Sequence, residues 1–491
     1  MDYETIIGLE VHSQLSTESK MFCSCMATYQ EMAPNTTICP VCVGMPGTLP
    51  IPNTVAIRHV VRTGLALECE ISSESKFDRK NYPYPDLMKG YQISQFDKPI
   101  ATNGCLLVEG IDEMTKVRIN RVHLEEDVAK LMHRSNSDES YSLLDINRSG
   151  VPLMEIVSEP DLRSADEARD YLTSLRTILR YLKVSTANME EGSFRCDANI
   201  SIRPVGDIKL GPKVEIKNMN SFRAVHKALT FEQKRQLNCK RNGERIVQET
   251  RGWSEQDGET FSQRSKEHAH DYRYFPEPDI PPFNINESEV VELQESLPEL
   301  PYARRIRFIE SYGLSDKEAE QLTLSKEMAD YFEQVALLGS GNNVPVHASA
   351  KAASNWLLGE MTRLLNEKST EISLVKITPA NLIELQIMVD SKKLSSTMAK
   401  EVFEQMFDTG TSPTEIVNKS GMQQISDEST LQALVQEAIQ INEKAVDDFL
   451  SGKETAVRFL VGQVMKLAKG KANPQLAEQL VVKELGKIRM E

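Results

Sequence analysis

An alternation near the amino terminus limits what this chain can become more than any other feature. In IIGLEVHSQL (Ile6–Leu15), Ile7, Leu9, Val11 and then Leu15 alternate with Gly8, Glu10, His12 and Gln14, the period-two pattern of a half-buried strand. Glu10 and His12 therefore point the same way. The pattern returns in RCDANISIRP, where Cys196, Ala198, Ile200 and Ile202 alternate with Asp197, Asn199, Ser201 and Arg203. It returns again in KVEIKNMN, where Val214 and Ile216 alternate with Glu215 and Lys217. RVHLEEDVAK adds His123, Glu125, Glu126 and Asp127, and NMEEGS adds Glu190 and Glu191 before a turn. If these strands share one sheet, Glu10, His12, one of Glu125 and Glu126, and Asp197 converge on one surface. Unit charges of like sign ~4 Å apart repel by roughly 4 kcal/mol at an effective dielectric near 20, so converging carboxylates need a cation. Hard oxygen donors suit magnesium or manganese, and magnesium typically binds a few carboxylates plus substrate phosphates.

Basic groups suited to phosphate cluster nearby in the sequence. SKFDRKNYPYPD provides Lys76, Arg79 and Lys80 among aromatics, and DINRSGVPLMEI places Arg148 beside Gly150, whose missing side chain permits close backbone approach. No G-x-x-x-x-G-K-[ST] loop occurs and no G-x-G-x-x-G follows a strand, so a nucleotide site has to be unconventional. No G-x-S-x-G elbow marks a nucleophile either. The formal charge of −15 argues against a surface that attracts nucleic acid everywhere, and leaves room only for a local basic patch. Such a patch lies between Lys453 and Arg489, where eight Lys or Arg meet three Glu. No apolar run approaches the ~18 residues of a membrane helix, and MDYETIIGLE lacks the features of a secretory signal, which together point to a cytoplasmic protein.

Eight cysteines are unevenly spread: Cys23, Cys25, Cys39 and Cys42 lie within twenty residues, and the other four stand alone. Two close pairs of thiolates can wrap one tetrahedral zinc, and the loop with Pro34, Asn35 and Pro40 bends enough to close it. A site with four sulfur ligands has no open position, so this zinc is structural rather than hydrolytic.

A chain of 491 residues divides into several domains. The first ~290 residues read as sheet. One helix interrupts them, with Ala168, Tyr171, Leu172, Leu175, Ile178, Leu179 and Leu182 on one stripe. FPEPDIPPF (Phe275 to Phe283), with prolines at 276, 278, 281 and 282, reads as a boundary. Helical patterns begin near Pro301 and include KEAEQLTLSKEMADYFEQVALL and NWLLGEMTRLL; later ones carry start signals at Thr378-Pro379, Ser412-Pro413, Ser426-Asp427 and Asn473-Pro474.

Seven segments, YETIIGLEVHSQL, SKFDRKNYPYPDLMKGYQISQFDKPI, RVHLEEDVAKL, LDINRSGVPLMEIVSEPD, NMEEGSFRCDANISIRP, EIKNMNSF and DYRYFPEPD, closely resemble the B subunits of the glutamyl-tRNA(Gln)/aspartyl-tRNA(Asn) amidotransferases. FLVGQVMKLAKGKANPQLAEQLVVKEL resembles that family's tRNA-contacting tail. The resemblance implies an α+β chain with a sheet-rich cradle domain over 1–292, an all-helical middle domain over 293–405 and a small helical tail domain over 406–491. It implies an enzyme that uses ATP to phosphorylate the side-chain carboxylate of Glu on tRNA(Gln), or of Asp on tRNA(Asn), before ammonia displaces phosphate. Ammonia comes from an amidase-type A subunit, and a small C subunit helps hold A and B together. The family's magnesium ligands map to Glu10, His12, Glu126 and Asp197, with Glu125 a rival for the third place. The catalytic candidates are Glu125, Glu126, Lys76, Arg79, Lys80 and Arg148, the zinc ligands Cys23, Cys25, Cys39 and Cys42, and the tRNA contacts Lys466, Lys469, Lys471 and Lys483. A non-catalytic tRNA-binding scaffold, its acids structural, is the alternative reading.

Overall fold

The computed structural model describes residues 2–110, 114–135, 139–265, 272–341, 345–420, 428–451, 453, 455–468, 472 and 474–488. The chain forms two compact units, Met1–Pro301 and Tyr302–Glu491. The alternating segments of the first unit are strands of one nine-stranded sheet. In chain order these are β1 (Tyr3–Gln14), β2 (Glu70–Ile71), β3 (Ala101–Glu109), β4 (Met114–Glu126), β5 (Pro152–Ser158), β6 (Phe194–Pro204), β7 (Val214–Lys217), β8 (Glu249–Ser254) and β9 (Glu259–Ser265). Their spatial order is β9-β8-β7-β6-β1-β5-β4-β3-β2, so the amino-terminal strand lies at the centre. β7 and β8 run parallel, and the other neighbours run antiparallel.

Ile7, Leu9 and Val11 of β1 are at most 1% exposed and pack in one core with Ala198 and Ile200 of β6 and Ile156 of β5. Helices α1 (Thr54–Ala66), α2 (Ala165–Tyr181) and α3 (Phe222–Arg241) contribute to that core. Each starts on a side-chain cap, Asn53 for α1, Ser164 for α2 and Ser221 for α3, whose oxygens accept first-turn backbone N–H groups that the helix itself leaves unpaired. The stripe expected on α2 is its buried face: Ala168, Tyr171, Leu172, Leu175 and Leu179 are fully buried.

The proline-rich stretch is not where the first unit ends. Phe275–Pro276 pairs with Asp78–Arg79, Phe283–Asn284 pairs with Glu74–Ser75, and Ile280, Ile285 and Leu293 still belong to the first core. Two-residue edge pairings tolerate proline because they ask for few ladder hydrogen bonds. Strands Asp78–Asn81 and Tyr91–Ser94 complete a three-stranded sheet with Phe275–Pro276.

The second unit is helical and has two apolar cores, one drawn from Phe308 to Val417 and another from Leu431 to Leu485. Phe308, Tyr312 and Phe332 form an aromatic cluster with ring centroids 4.8 to 5.5 Å apart. Thr378 caps Pro379–Asp390 with Pro at the first turn, and Pro413 opens Pro413–Ser420; Ser426 and Asp427 lie outside the described residues, as does Asn473 before Pro474–Ile488. The long helical pattern from Lys317 breaks into Asp316–Thr323 and Lys326–Gly341. Among the described residues, no helix is long and apolar enough to cross a membrane.

At the start of Asp316–Thr323, Ser315 and Glu318 form a reciprocal cap, and the Lys351 ammonium lies 2.6 Å from Glu318. Lys351 and then Ser315 hold the Glu318 carboxyl down to about 2. A depressed carboxyl adds stability that is full above its ordinary value of 4.5 and fades as pH falls toward 2. Glu318→Gln should therefore flatten the acid limb of the stability curve, measured by urea unfolding between pH 5 and 3. An unchanged slope would exclude this contribution.

Candidate functional site

Antiparallel register sets the centre of the site. His12 on β1 lies opposite Glu155 on β5, and Glu155 lies opposite His123 on β4, so three ionisable side chains form one row across the sheet. Arg195 on β6 extends the row from the other side of His12. Two residues along β4 from His123, strand parity returns Glu125 to the same face. The His12 Nε2 atom is 3.4 Å from Glu155 Oε2 and 3.6 Å from Glu125 Oε1, and His123 Nε2 is 3.2 Å from Glu155 and 3.8 Å from Glu125. Ligand atoms of His12, Glu125 and Glu155 all lie within 4.8 Å of one another. The Ser94 hydroxyl donates to Glu125, and Arg121 Nε donates to His123 Nδ1.

Burial here is nearly complete for Glu125 (2% exposed) and Glu155 (7%), and it shapes the protonation. Burial alone would raise the Glu155 carboxyl, but the charges of His123 and His12 outweigh it and hold the group well below the usual carboxylate range. Burial likewise opposes the charged form of both imidazoles, and Glu155 overcomes it, so His12 and His123 are raised. Two carboxylates and a histidine converging from three strands form a hard donor set of the kind that holds magnesium together with substrate phosphates.

The other expected ligands lie apart from this group. One step of strand alternation turns Glu126 away from Glu125, and it instead pairs with Lys89 and accepts from the Ile93 N–H at 3.0 Å. Glu10 shares the face of His12 but accepts from Asn199 at 2.8 Å, outside the 4.8 Å group. Asp197 sits opposite Glu10 in register, where the Lys217 ammonium, 2.6 Å away, supplies its cation. The second carboxylate of the group is Glu155 instead.

The basic candidates separate in the same manner. Lys76 is committed to Asp78 at 2.9 Å and Asp97 at 2.8 Å. Arg79 makes a two-pronged pair with Glu277 at 2.6 and 2.8 Å, and its guanidinium lies 4.2 Å over the Tyr91 ring. Arg148 donates to the Val128 and Ala129 carbonyls and lies 3.6 Å from Asp127, which makes it a brace for the turn. Lys80 differs. Its ammonium faces the rings of Tyr272 at 5.0 Å and Tyr82 at 5.9 Å, with no carboxylate within 4.0 Å among the described residues. Burial would lower its pKa, yet the field of Glu125, joined by Glu155, raises it. The Lys80 ammonium therefore lies in the field of the acidic group, set against the two aromatic rings. Beside the row, a cavity of about 290 Å³ is lined by Gly8, Glu10, Arg121, Asn199, Ser201 and Lys213.

Sequence reasoning missed Glu155, and it left His123 and Arg121 without roles. The available signal was a single acid at the centre of the apolar strand PLMEIVS. An isolated carboxylate in a strand buried on both sides needs a partner.

The four clustered cysteines meet. Their sulfurs lie within 4.8 Å of one another, with Cys23 to Cys42 at 3.5 Å and Cys39 to Cys42 at 3.7 Å. Tetrahedral zinc with bonds of about 2.3 Å sets sulfurs roughly 3.8 Å apart, so the quartet fits that ion. A hydrogen bond from Cys23 holds the Cys42 thiol down to about 4 against the opposing effect of burial, and burial pushes Cys25 up to about 11. In the tail, Lys466 is exposed in the last turn of Thr455–Leu467 and Lys483 is exposed on Pro474–Ile488; Lys469 and Lys471 lie outside the described residues.

Residues 5–291 match the family model described as the GatB/GatE catalytic domain, and residues 330–485 match that described as the GatB domain. The B subunit of the aspartyl/glutamyl-tRNA(Asn/Gln) amidotransferase of Dehalococcoides mccartyi (strain CBDB1) is 52% identical over 486 residues, covering 98% of this chain and 99% of its own. The protein of that name from Thermoanaerobacter pseudethanolicus is 51% identical over 487 residues, covering 99% and 100%. The one from Carboxydothermus hydrogenoformans is 48% identical over 488 residues, covering 99% and 100%. With both halves matched and about half of all positions shared along the whole length, this chain belongs to the family of aspartyl/glutamyl-tRNA(Asn/Gln) amidotransferase B subunits.

Proposed function

We propose that this chain is the ATP-dependent kinase and transamidase subunit of a cytoplasmic tRNA-dependent amidotransferase. Its substrates are Glu-tRNA(Gln), Asp-tRNA(Asn) or both. A carboxylate oxygen of the tRNA-borne side chain bonds to the terminal phosphorus of ATP as the bond to ADP breaks. Ammonia then attacks the acyl carbon, phosphate leaves, and the amide remains. Ammonia reaches this chain from a partner glutaminase, the A subunit, with a small C subunit completing a heterotrimer. The observation that carries the reading is the meeting of His12, Glu125 and Glu155 within 4.8 Å of one another, with both carboxylates nearly buried.

Phosphoryl transfer asks for positioning and charge neutralisation more than for covalent help. His12, Glu125 and Glu155 would hold magnesium, which supplies neutralisation of phosphate charge when bound. Lys80 offers a positive charge in the field of the same acids, set against the rings of Tyr82 and Tyr272. Arg121, 3.8 Å from Glu155 and lining the adjoining cavity, is placed to meet further phosphate oxygens. An acyl phosphate hydrolyses readily in water, and a sheltered face favours its survival until ammonia arrives. Cys23, Cys25, Cys39 and Cys42 would hold a structural zinc. The tail domain, residues 406–491, would meet the tRNA backbone through Lys466, Lys469, Lys471 and Lys483.

In the assembled complex with ATP, magnesium and Glu-tRNA(Gln), Glu125→Gln and Glu155→Gln should each lower tRNA-dependent ATP cleavage at least about 100-fold while tRNA binding, read by filter retention, persists. Undiminished cleavage would instead support a scaffold whose acids are structural. Lys80→Met should cost about 10²- to 10³-fold in kcat, comparable to loss of one charge-stabilising donor in a sheltered site. For the tail, Lys466→Ala should reduce the slope of log affinity against log salt by about one, as expected when one phosphate contact is removed. An unaltered slope would take Lys466 out of the interface.

A further inference from the structure

Lys20 contacts the cysteine quartet and is only 1% exposed, which places it among the largest fully buried side chains of the protein. A buried ammonium is costly unless an opposite charge and hydrogen-bond acceptors surround it. Its Nζ donates to the Thr37 carbonyl at 2.9 Å and to the Cys42 sulfur at 3.6 Å. Both contacts are held in place by further hydrogen bonds. The Lys20 N–H donates to the Cys25 carbonyl at 2.8 Å, which fixes the start of the side chain against the first cysteine pair. The Thr37 N–H donates to Asn147 Oδ1 at 2.9 Å, and Asn147 Nδ2 donates to the Ala33 carbonyl at 2.7 Å, so the loop carrying the acceptor is braced from below.

We infer that Lys20 is the built-in counter-charge of the four-cysteine centre and determines how firmly that centre retains zinc. The inference rests on the reading of the quartet as a zinc site. Four thiolates around a divalent ion carry a net charge of minus two, and Cys42 is the buried member of the four. An ammonium donating to the Cys42 sulfur halves that residual charge and withdraws electron density from the ligand least able to use solvent for the purpose. Partners of metal ligands typically change affinity by about 10- to 100-fold when removed. Lys20 accordingly belongs to the metal centre as a positioning and charge-balancing residue, and stands apart from the phosphoryl-transfer face.

The test compares the full-length wild type with Lys20→Met and Lys20→Gln at one pH. Bound zinc is counted by elemental analysis, and its release to a chromogenic chelator is timed. Wild-type protein without zinc would refute the zinc reading itself, before Lys20 is considered. With zinc present in the wild type, both variants should lose it about 10- to 100-fold faster, because both lack the charge although Gln keeps a donor for Thr37. Wild-type retention in both variants, or in Lys20→Gln alone, would overturn the inference, the second result assigning the effect to the Thr37 hydrogen bond. If neither variant accumulates as soluble protein, growth with added zinc decides: recovery supports the inference, and insolubility regardless of zinc overturns it.

Discussion

Glu155 sits between two imidazoles, and the rest of the site follows from that arrangement. It is held by the antiparallel register of three neighbouring strands, which lays His12, Glu155 and His123 side by side. A nearly buried carboxylate is costly alone, and a second one, Glu125, within reach of the same histidines would double the cost. His12 and His123 lie 3.2 to 3.8 Å from those carboxylates and their pKa values are raised by them, so imidazoles and carboxylates each favour the charged form of the other.

Around this centre the cations divide by what already holds them. Arg79, Lys76 and Arg148 each meet a carboxylate or carbonyl of their own and brace the short sheet and turns beside the main one. Lys80 comes from the same short stretch of chain as Arg79, yet alternation along Asp78–Asn81 directs the two in opposite senses. One neutralises Glu277, and the other faces the rings of Tyr82 and Tyr272. The four cysteines form a soft-donor cluster, in contrast to the hard-donor set of His12, Glu125 and Glu155, and the buried Lys20 donates to the Cys42 sulfur.

Much of this was legible in the chain. The alternation in β1 and β6 identified strands, the stripe on α2 identified a core helix, and the spacing of Cys23, Cys25, Cys39 and Cys42 identified a cluster that the fold does assemble. The seven long motifs were enough to identify the family, because ordered matches of that length do not arise by chance. Less legible was the choice between Glu125 and Glu126: adjacent acids have opposite parity, and only the paired strand reveals which one faces His12. Glu155 was hidden because a strand buried on both sides has no alternation to read. The proline-rich stretch at 275–283 misled because edge pairing with Asp78–Arg79 and Glu74–Ser75 needs partners about 200 residues away in sequence.

Local periodicity, cysteine spacing and motif identity are properties of neighbouring residues, and they determined element types, the sulfur cluster and family membership. Which carboxylates meet, which cations stay unspent and where Lys20 places its charge are differences between long-range partners. The tertiary structure decided these, because strand register brings together side chains that chain separation leaves unrelated, and electrostatic energy depends on distance and burial rather than on order along the chain.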